Sequence, residues 1–334
     1  MTDTALKSDP ADYVLPHHPV RDFLTGSVAS IGITFILVLA VGLFWVGPKF
    51  VSFGNVSIMG TFLIVPLIVG AFAGFALLSG VVDLSIGSMV GFSSAIFALL
   101  LSMGWDPFSA AAVTLAFCLF FGAINAVAIV GFGAEPIAAT LGMLVALRGI
   151  TWVLLGTQGA IFAFNIELFN LVSTQVFGLP LFFLLAIGLT LLAALIVTTT
   201  RIGRHVQAVG GDDKAAARAG ISVKRVRAGA LLLSAFGAGL GGIVFAGQLG
   251  SAARATGLGL EFQVYAALMI GGYSILRGGV GNPLGGALGL MAVAGVANIL
   301  DLGRISPYYV NIIVGLLLLA AVLLDRLRGG DAYE

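Results

Sequence analysis

Residues 201–227 read RIGRHVQAVGGDDKAAARAGISVKRVR and separate two blocks of hydrophobic segments in an otherwise apolar chain. This stretch, called here the charged island, holds seven of the sixteen Lys and Arg residues. It is the only long, strongly charged break in the chain, and a charged loop of this kind is suited to contact with other molecules. The pattern predicts a membrane protein that presents one charged surface to a soluble partner.

The middle of the charged island has the signals of a short helix. An aspartate can cap its start, the run from Lys214 to Arg218 continues it, and Gly220 can supply a left-handed stop. The two glycines before the aspartates are expected to break whatever precedes them. Acid in the first turn and base in the last suit the helix dipole. The predicted docking residues are Gly210, Gly211, Asp212, Asp213, Lys214, Arg218 and Gly220.

The composition excludes a soluble globular protein. The chain has 334 residues, of which 59% are hydrophobic and 9% charged, with a mean hydropathy of +1.11, whereas soluble domains carry about 25% charged residues. The apolar runs are continuous rather than alternating, which favours helices over the strands of a barrel. We predict an all-α polytopic bundle of about ten membrane helices, with the short helix of the charged island on the cytoplasmic side. The predicted spans are 27–47, 57–79, 85–103, 108–131, 136–156, 179–199, 229–248, 262–276, 283–300 and 308–325.

The distribution of basic residues predicts the orientation of the bundle. With the N-terminus inside, twelve basic residues face the cytoplasm and three, Lys49, Arg254 and Arg304, face outward. The twelve are Lys7, Arg21, the seven of the charged island, Arg277, Arg326 and Arg328. The positive-inside rule therefore predicts that both termini are cytoplasmic. The corresponding organisation is a tail at 1–26, a membrane domain at 27–328 that includes the charged island at 201–227, and a tail at 329–334.

Motifs for catalysis and cofactor binding are absent from the sequence. It contains no G-x-x-x-x-G-K-[ST], so the chain is not expected to hydrolyse ATP itself. It also lacks H-E-x-x-H, G-x-S-x-G and clustered carboxylates. Its single cysteine, Cys118, permits no internal disulfide and no zinc spacing. We therefore expect a non-catalytic chain that binds no metal or cofactor.

Polar residues within or beside the spans are the candidates for a translocation path. Asp83 or Ser85 can cap the helix that begins at the third span, and the broken end either lines the path or is only a cap. Asn282-Pro283 and Glu135-Pro136 are similar helix-start signals. The path candidates are Asp83, Ser85, Asn125, Thr140, Arg148, Thr151, Gln248, Asn282 and Asn298.

Two charged residues near the spans need separate placement. Arg148 follows the start of the fifth span by about twelve residues, or some 18 Å, which puts it in the outer half. There it either snorkels outward, pairs with another helix, or faces a cavity. Glu261, ahead of the short eighth span, is expected at the outer surface.

Four stretches together carry a family resemblance. They are 82–88 (VDLSIGS), 137–142 (IAATLG) with 147–149 (LRG), 200–204 (TRIGR) leading to 210–221 (GGDDKAAARAGI), and 271–286 (GGYSILRGGVGNPLGG). From about residue 55 to 328 the chain resembles the membrane permease subunits of bacterial ABC importers for monosaccharides, of the ribose, xylose and galactose type.

The resemblance implies a set of partners and a location. In that family the polar loop is the coupling helix, here 210–221, which seats in a groove of a cytoplasmic ATPase that uses Mg-ATP. It also implies a second permease subunit (identical or a paralogue), two ATPase domains, a periplasmic sugar-binding protein and the bacterial inner membrane. The expected function is the translocation pore for a monosaccharide or polyol.

Three alternatives remain open from the sequence. Within the same class, the cargo could be a branched-chain amino acid, a nucleoside or a signalling sugar. A secondary transporter working without ATP is a second alternative, although the scarcity of intramembrane Asp and Glu weakens it. A membrane scaffold is the third, and the broken helices argue against it.

Overall fold

The computed structural model describes residues 27–306 and 308–329, and most of them are helical. The predicted tail at 1–26 and the last five residues of the chain lie outside the described part. In chain order the helices are α1 (Ser27–Trp45), α2 (Phe53–Leu78), α3 (Ile86–Ser102), α4 (Pro107–Ala126), α5 (Pro136–Leu155), α6 (Ile166–Ser173), α7 (Leu181–Thr199), α8 (Arg201–Gly211), α9 (Asp213–Arg218), α10 (Val223–Leu249), α11 (Leu260–Ile270), α12 (Pro283–Leu302) and α13 (Tyr308–Gly329). A π-helical turn, Val127–Gly131, extends α4.

The long apolar helices confirm a polytopic helical membrane protein. Within the described residues, six helices are long and apolar enough to span a membrane: α2, α4 with its π turn, α5, α7, α10 and α12. Shorter apolar helices cover 31–45, 86–102, 260–270 and 309–320. A helix overlaps each of the ten predicted spans, and within the described ranges six of these helices are long enough to cross a membrane. Large apolar side chains such as Phe44 and Val153 are 92% and 81% exposed, as expected of a surface that faces lipid.

Two predicted boundaries are wrong. The eighth span was predicted to reach residue 276, but α11 ends at Ile270 because Gly271 caps it and Gly272 turns at φ +90°. Gly210 and Gly211 were expected to break the preceding helix, yet they form the last residues of α8, and the break comes at Asp212. A glycine weakens a helix by only about 1 kcal/mol, so packing can keep it helical.

The centre of the bundle is formed by α2 and α10. The buried face of α10 packs against α2, α3 and α4. Small residues permit this close approach: a Cβ on Gly242 would overlap Ser93 Oγ of α3, and one on Gly237 would overlap Phe72 of α2. Gly-rich surfaces of this kind are the usual means of close helix packing in membranes.

Two short pairs of β-strands accompany the helices. The strand β1 (Ala160–Phe162) pairs antiparallel with β4 (Ser251–Ala253), and β2 (Gln175–Val176) pairs with β3 (Leu179–Pro180). The all-α prediction did not anticipate these strands. The first pair joins the segment after α5 to the segment after α10, and it positions the loop that leads into α11.

Candidate functional site

The charged island folds as α8, α9 and the first turn of α10. Asp212 caps α9, its carboxylate accepting from the Ala215 N–H at 2.9 Å, and Gly220 turns at φ +83° after the helix. The Ala215 N–H, together with the charges of Arg218 and Lys214, lowers the pKa of Asp212 below its ordinary value. The helix predicted within the island is therefore present and capped as expected.

The exposed residues of α9 form its outer face. Asp212, Lys214, Arg218 and Gly220 are exposed, whereas Ala216 is buried against the bundle. Asp213 forms a salt bridge with Arg227 of α10, with 3.2 Å between Arg227 Nη2 and Asp213 Oδ2. The island thus presents charges of both signs on a helix anchored to the bundle.

Gly210 meets two other segments of the chain through backbone alone. A Cβ on Gly210 would overlap the Leu78 carbonyl at the end of α2 and would crowd the Gly279 N–H in the loop after α11. That N–H donates to the Leu78 carbonyl at 2.8 Å, and a Cβ on Gly278 would lie 2.8 Å from Gly80 Cα. We call this meeting of residues 78–80, 210–211 and 278–279 the glycine junction. It ties the base of α9 to the ends of α2 and α11.

Three of the predicted path residues form one buried cluster at the break between α2 and α3. Asp83 Oδ1 accepts from the Ser85 N–H at 3.1 Å and from its hydroxyl at 2.6 Å. Asp83 Oδ2 accepts from the Ser234 hydroxyl of α10 at 2.8 Å, and the Asn125 amide of α4 donates to Ser85 Oγ at 3.1 Å. Asp83 therefore binds the helix break to α10, and Ser85 binds it to α4.

Two further side chains bind the backbone of the same break. The Thr140 hydroxyl of α5 accepts from the Leu84 N–H at 3.1 Å. The Tyr265 hydroxyl of α11 accepts from the Asp83 N–H and donates to its carbonyl, both at 2.9 Å. Tyr265 was not among the sequence candidates, although a hydroxyl inside an apolar segment is a signal that could have found it.

The remaining candidates lie apart from this cluster. Thr151 is buried and donates to the Leu147 carbonyl of its own helix at 2.7 Å. Asn282 caps α12, accepting from the Leu284 N–H at 2.9 Å. Gln248 and Asn298 line a cavity, and Arg148 binds the loop before α11.

The cavity has a volume of about 670 Å³ and lies between α2, α10, α11 and α12, within the roughly 300–1,000 Å³ typical of small-molecule sites. Apolar side chains form most of its wall, and Gln248, Gln263, Asn298 and Asp301 add polar groups. Asn298 is oriented by a reciprocal pair of amide hydrogen bonds with Asn55, at 2.8 and 3.0 Å. The sequence candidates did not include Gln263 and Asp301.

A proline interrupts the hydrogen bonding of α2 beside the cavity. Pro66 and Phe62 both line the cavity. Because proline has no N–H, the Phe62 carbonyl lacks the donor that would pair with it in a regular helix. Membrane helices tolerate such a break where the freed carbonyl can meet another partner.

Glu261 is not at the outer surface, where it was expected. Its side chain is 3% exposed, and its Oε2 packs against Gly87 of α3. Among the described residues, Oε2 has no hydrogen-bond partner. The prediction failed because the chain before α11 turns into the bundle instead of remaining outside it.

An aspartate near the end of α13 holds the Gly-rich loop after α11. Asp325 Oδ2 accepts from the Ser274 hydroxyl at 2.8 Å and from the N–H groups of Ile275 and Leu276 at 3.1 and 3.2 Å. Asp325 was not predicted as a functional residue, although an acidic residue at the end of an apolar span is a visible signal. Across the described ranges, no cluster of three His, Cys, Asp or Glu residues is arranged to hold a metal ion.

Comparisons with known proteins match most of the chain. Residues 57–322 match the family model described as branched-chain amino acid transport system / permease component. The chain is 32% identical over 301 residues to the D-allose transport system permease protein AlsC of Escherichia coli strain K12, covering 89% of this chain and 91% of that one. It is 30% identical over 302 residues to the ribose import permease protein RbsC of Haemophilus influenzae, covering 89% and 92%.

A further relative transports a different solute. Over 297 residues the chain is 33% identical to the autoinducer 2 import system permease protein LsrC of Escherichia coli O9:H4, covering 87% of this chain and 86% of that one. No solved structure matches the chain.

Proposed function

Since the chain belongs to the permease-component family of branched-chain amino acid transport systems, we propose that it forms the membrane passage of an ATP-driven importer for a monosaccharide or polyol. The observation that carries the proposal is the cavity of about 670 Å³, with amide side chains in a mostly apolar wall, inside a bundle that exposes one capped, charged helix. A passage and a docking helix are the two parts that such a subunit requires.

The choice of solute rests on the chemistry of the cavity and on the relatives. Amide groups donate and accept at once, as sugar hydroxyls do, and Gln248, Gln263 and Asn298 supply three. Its described lining contains no Lys or Arg to pair with the carboxylate of an amino acid. The names of three relatives specify D-allose, ribose and autoinducer 2. We therefore favour a neutral polyhydroxylated solute over a branched-chain amino acid.

The proposed partners follow from the exposed face of α9. We infer that its charges, with Gly211 beside them, seat in a cytoplasmic ATPase that binds Mg-ATP, while the chain itself binds no cofactor. A second permease subunit and a periplasmic binding protein complete the assembly. Gly210 serves this docking indirectly, because it packs in the glycine junction and supports the base of α9.

The proposed topology has ten crossings, six by the long helices and four by the shorter ones. Leu78, at the end of α2, touches Gly210, so Lys49 before α2 lies at the opposite end of the bundle. Arg304 shares that end, since Asn298 near the end of α12 pairs with Asn55 near the start of α2. This arrangement supports a bacterial inner-membrane protein with the charged island in the cytoplasm and both tails, 1–26 and 329–334, on the same side.

Reconstitution tests the proposal. The purified chain is placed in proteoliposomes with its candidate ATPase and binding protein, and uptake of labelled pentoses and hexoses is measured with and without Mg-ATP. We expect uptake only when all components are present. Uptake by the chain alone that does not respond to ATP would overturn the proposal and make the charged island a regulatory loop.

A substitution in the cavity tests the path. Gln248→Ala removes an amide from the cavity wall and should raise the solute concentration for half-maximal uptake roughly fivefold, since one hydrogen bond contributes about 1 kcal/mol. Gln175→Ala, on the exposed strand β2, is the matched control and should leave uptake unchanged. Equal effects of the two substitutions would remove Gln248 from the path.

A further inference from the structure

Residues 254–259, called here the re-entrant loop, enter the bundle between α10 and α11. A Cβ on Gly257 would overlap the Gly87 carbonyl near the start of α3, and one on Gly91 would lie 2.7 Å from the Thr256 carbonyl. Helix α11 has only 11 residues, so the re-entrant loop replaces turns that a full span would supply. Non-helical backbone at this depth needs donors for its carbonyl groups.

Arg148 of α5 supplies those donors. Its Nη1 donates to the Thr256 carbonyl at 3.1 Å and its Nη2 to the Gly257 carbonyl at 3.4 Å. The side chain is 9% exposed, so these are bonds to a charged group in a site with little water. The fork of one guanidinium thus holds two consecutive carbonyls of the re-entrant loop.

Glu261 offers Arg148 a second set of acceptors. The two side chains lie close enough for their charges to attract. Gly87 and Gly91 are one turn apart on α3, about 6 Å; the first packs against Glu261 Oε2, and a Cβ on the second would lie 3.8 Å from Arg148 Nη1. Glu261 Oε2 has no hydrogen-bond partner among the described residues, so it is an unused acceptor that packs against the same face of α3 as the guanidinium.

The re-entrant loop also forms part of the cavity wall, through Ala255, Gly257 and Leu258. We propose that the re-entrant loop is a gate of the cavity, that Arg148 holds it closed, and that transfer of Arg148 from the loop carbonyls to the Glu261 carboxylate opens it. Arg148 and Glu261 are then positioning residues for transport. The identity of the passing solute rests on the proposed function, whereas the movement of the loop does not.

A cysteine introduced in the re-entrant loop reports on the gate. Thr256 is 5% exposed, and the native Cys118 is buried, so Thr256→Cys supplies the reactive thiol for a membrane-impermeant maleimide. In the chain alone, Arg148→Gln should raise the labelling rate at least about tenfold, because hydrogen bonds to a charged group contribute roughly 1.5–3 kcal/mol each. Arg148→Lys keeps the charge without the fork and should give an intermediate rate. An unchanged labelling rate in Arg148→Gln would overturn the proposal that Arg148 holds the re-entrant loop closed.

The matched control is another arginine of the same loop. Arg254 is exposed and donates to the Gly156 carbonyl at 2.8 Å, outside the buried site. Arg254→Gln should leave the labelling rate of the introduced thiol unchanged; equal acceleration would mean general loosening of the loop and would overturn the proposal. If Arg148→Gln does not elute as a folded protein, Arg148→Lys takes its place in the comparison. A labelling rate for Arg148→Lys equal to that of the Thr256→Cys parent would then overturn the proposal that Arg148 holds the loop closed.

Glu261→Gln tests the unused acceptor. In proteoliposomes with the ATPase and binding protein, Mg-ATP and a transported pentose should accelerate labelling of the introduced thiol in the Thr256→Cys parent but not when Glu261→Gln is added. The same acceleration in both would overturn the transfer of Arg148, and no acceleration in the parent would overturn the gate. Uptake measured in the same vesicles separates these results from failure of the proposed function, which would appear as absence of ATP-dependent uptake in the parent.

Discussion

Asp83 shows what a single carboxylate can do at membrane depth. Its two oxygens accept three hydrogen bonds from Ser85 and Ser234, while its own backbone is held by Tyr265. A buried polar group is tolerated when it is paired, and an unpaired one costs free energy. The aspartate therefore stabilises a non-helical break buried inside the bundle.

Removing this carboxylate should destabilise the fold. Asp83→Ala leaves the donors of Ser85 and Ser234 unpaired, at a cost of about 1–3 kcal/mol for each buried group. We expect a clear fall in the midpoint of thermal unfolding in detergent, and a smaller fall for Asp83→Asn, which keeps the shape and one acceptor oxygen. Asp301→Ala, an exposed carboxylate at the end of α12, is the control. A midpoint for Asp83→Ala equal to that of the control would contradict the structural role.

Sequence alone could select residues of this kind but not their partners. Asp83, Ser85, Asn125 and Thr140 were candidates because polar side chains are rare in apolar spans. Whether they contact one another or a solute depends on packing between segments far apart in the chain. For Glu261 that dependence misled the prediction, since its burial is set by Gly87 on a distant helix.

Among the elements, α9 depends most on local chemistry. Its cap is the carboxylate of Asp212, which is fully exposed apart from the bond it accepts from Ala215. Local signals of this kind can be seen in the sequence, and the helix was predicted in nearly the correct place.

The cap predicts a defined pH dependence. Folding lowers the pKa of Asp212 from its ordinary value of 3.8. The stability that the charged carboxylate gives to α9 is therefore complete above that value and is lost as pH falls through the folded pKa. Amide exchange of α9, corrected for the intrinsic rate, should be constant from about pH 8 to 5 and rise below about pH 4. Asp212→Asn keeps a capping oxygen that does not titrate. An acid-induced rise of the same size in Asp212→Asn would assign the effect to another group.

The glycine junction offers a matched pair of substitutions. Gly210→Ala places a methyl group against the Leu78 carbonyl, whereas a Cβ on the adjacent Gly211 meets nothing within 4 Å. We expect Gly210→Ala to lower the thermal midpoint and ATP-driven uptake together, because α8 must move away from α2. Gly211→Ala should be neutral or slightly stabilising, by up to about 1 kcal/mol from helix propensity. Equal effects on stability would exclude close packing at Gly210.

Element boundaries show where sequence reasoning reaches its limit. Long apolar runs predicted α2, α5 and α12 within a few residues, since apolar length is a property of the segment itself. The extension of α8 through two glycines follows instead from packing of Gly210 against other segments. A sequence pattern holds no information about that contact.

Across the whole molecule, polar and apolar side chains are distributed as expected for a protein in a bilayer. Large apolar side chains such as Phe44 and Phe132 are 92% and 86% exposed, while Asp83 and Glu261 are buried inside. Charges cluster at the ends, with the island at one end and Lys49 at the other. Composition could predict that apolar side chains face outward and that charges collect at the ends. The cavity could not be predicted, because segments distant in sequence form it.

Labelling of single cysteines should reveal the orientation. Lys214→Cys on α9 and Arg254→Cys at the other end of the bundle both replace exposed residues. An impermeant maleimide should label the Lys214→Cys variant only in inside-out vesicles and the Arg254→Cys variant only in right-side-out vesicles, because basic residues favour the cytoplasmic side. The reverse pattern would contradict the proposed topology.

The glycine junction has a consequence for how this permease could be re-engineered. The close contacts of Gly210, Gly278 and Gly279 in this junction join main chain to main chain, so a side chain added at any of them displaces the elements they join. Arg227 of α10 also contacts the junction, since its Nε donates to the Ser79 carbonyl at 3.3 Å. The exposed residues of α9 make none of these contacts. Changing their charges therefore leaves the glycine junction as it is. If α9 is the docking helix, as proposed, we expect that replacing only its exposed residues with those of a related permease changes which ATPase the protein accepts. Asp213, which pairs with Arg227, and the buried Ala216 stay unchanged in such a graft, so the glycine junction is preserved.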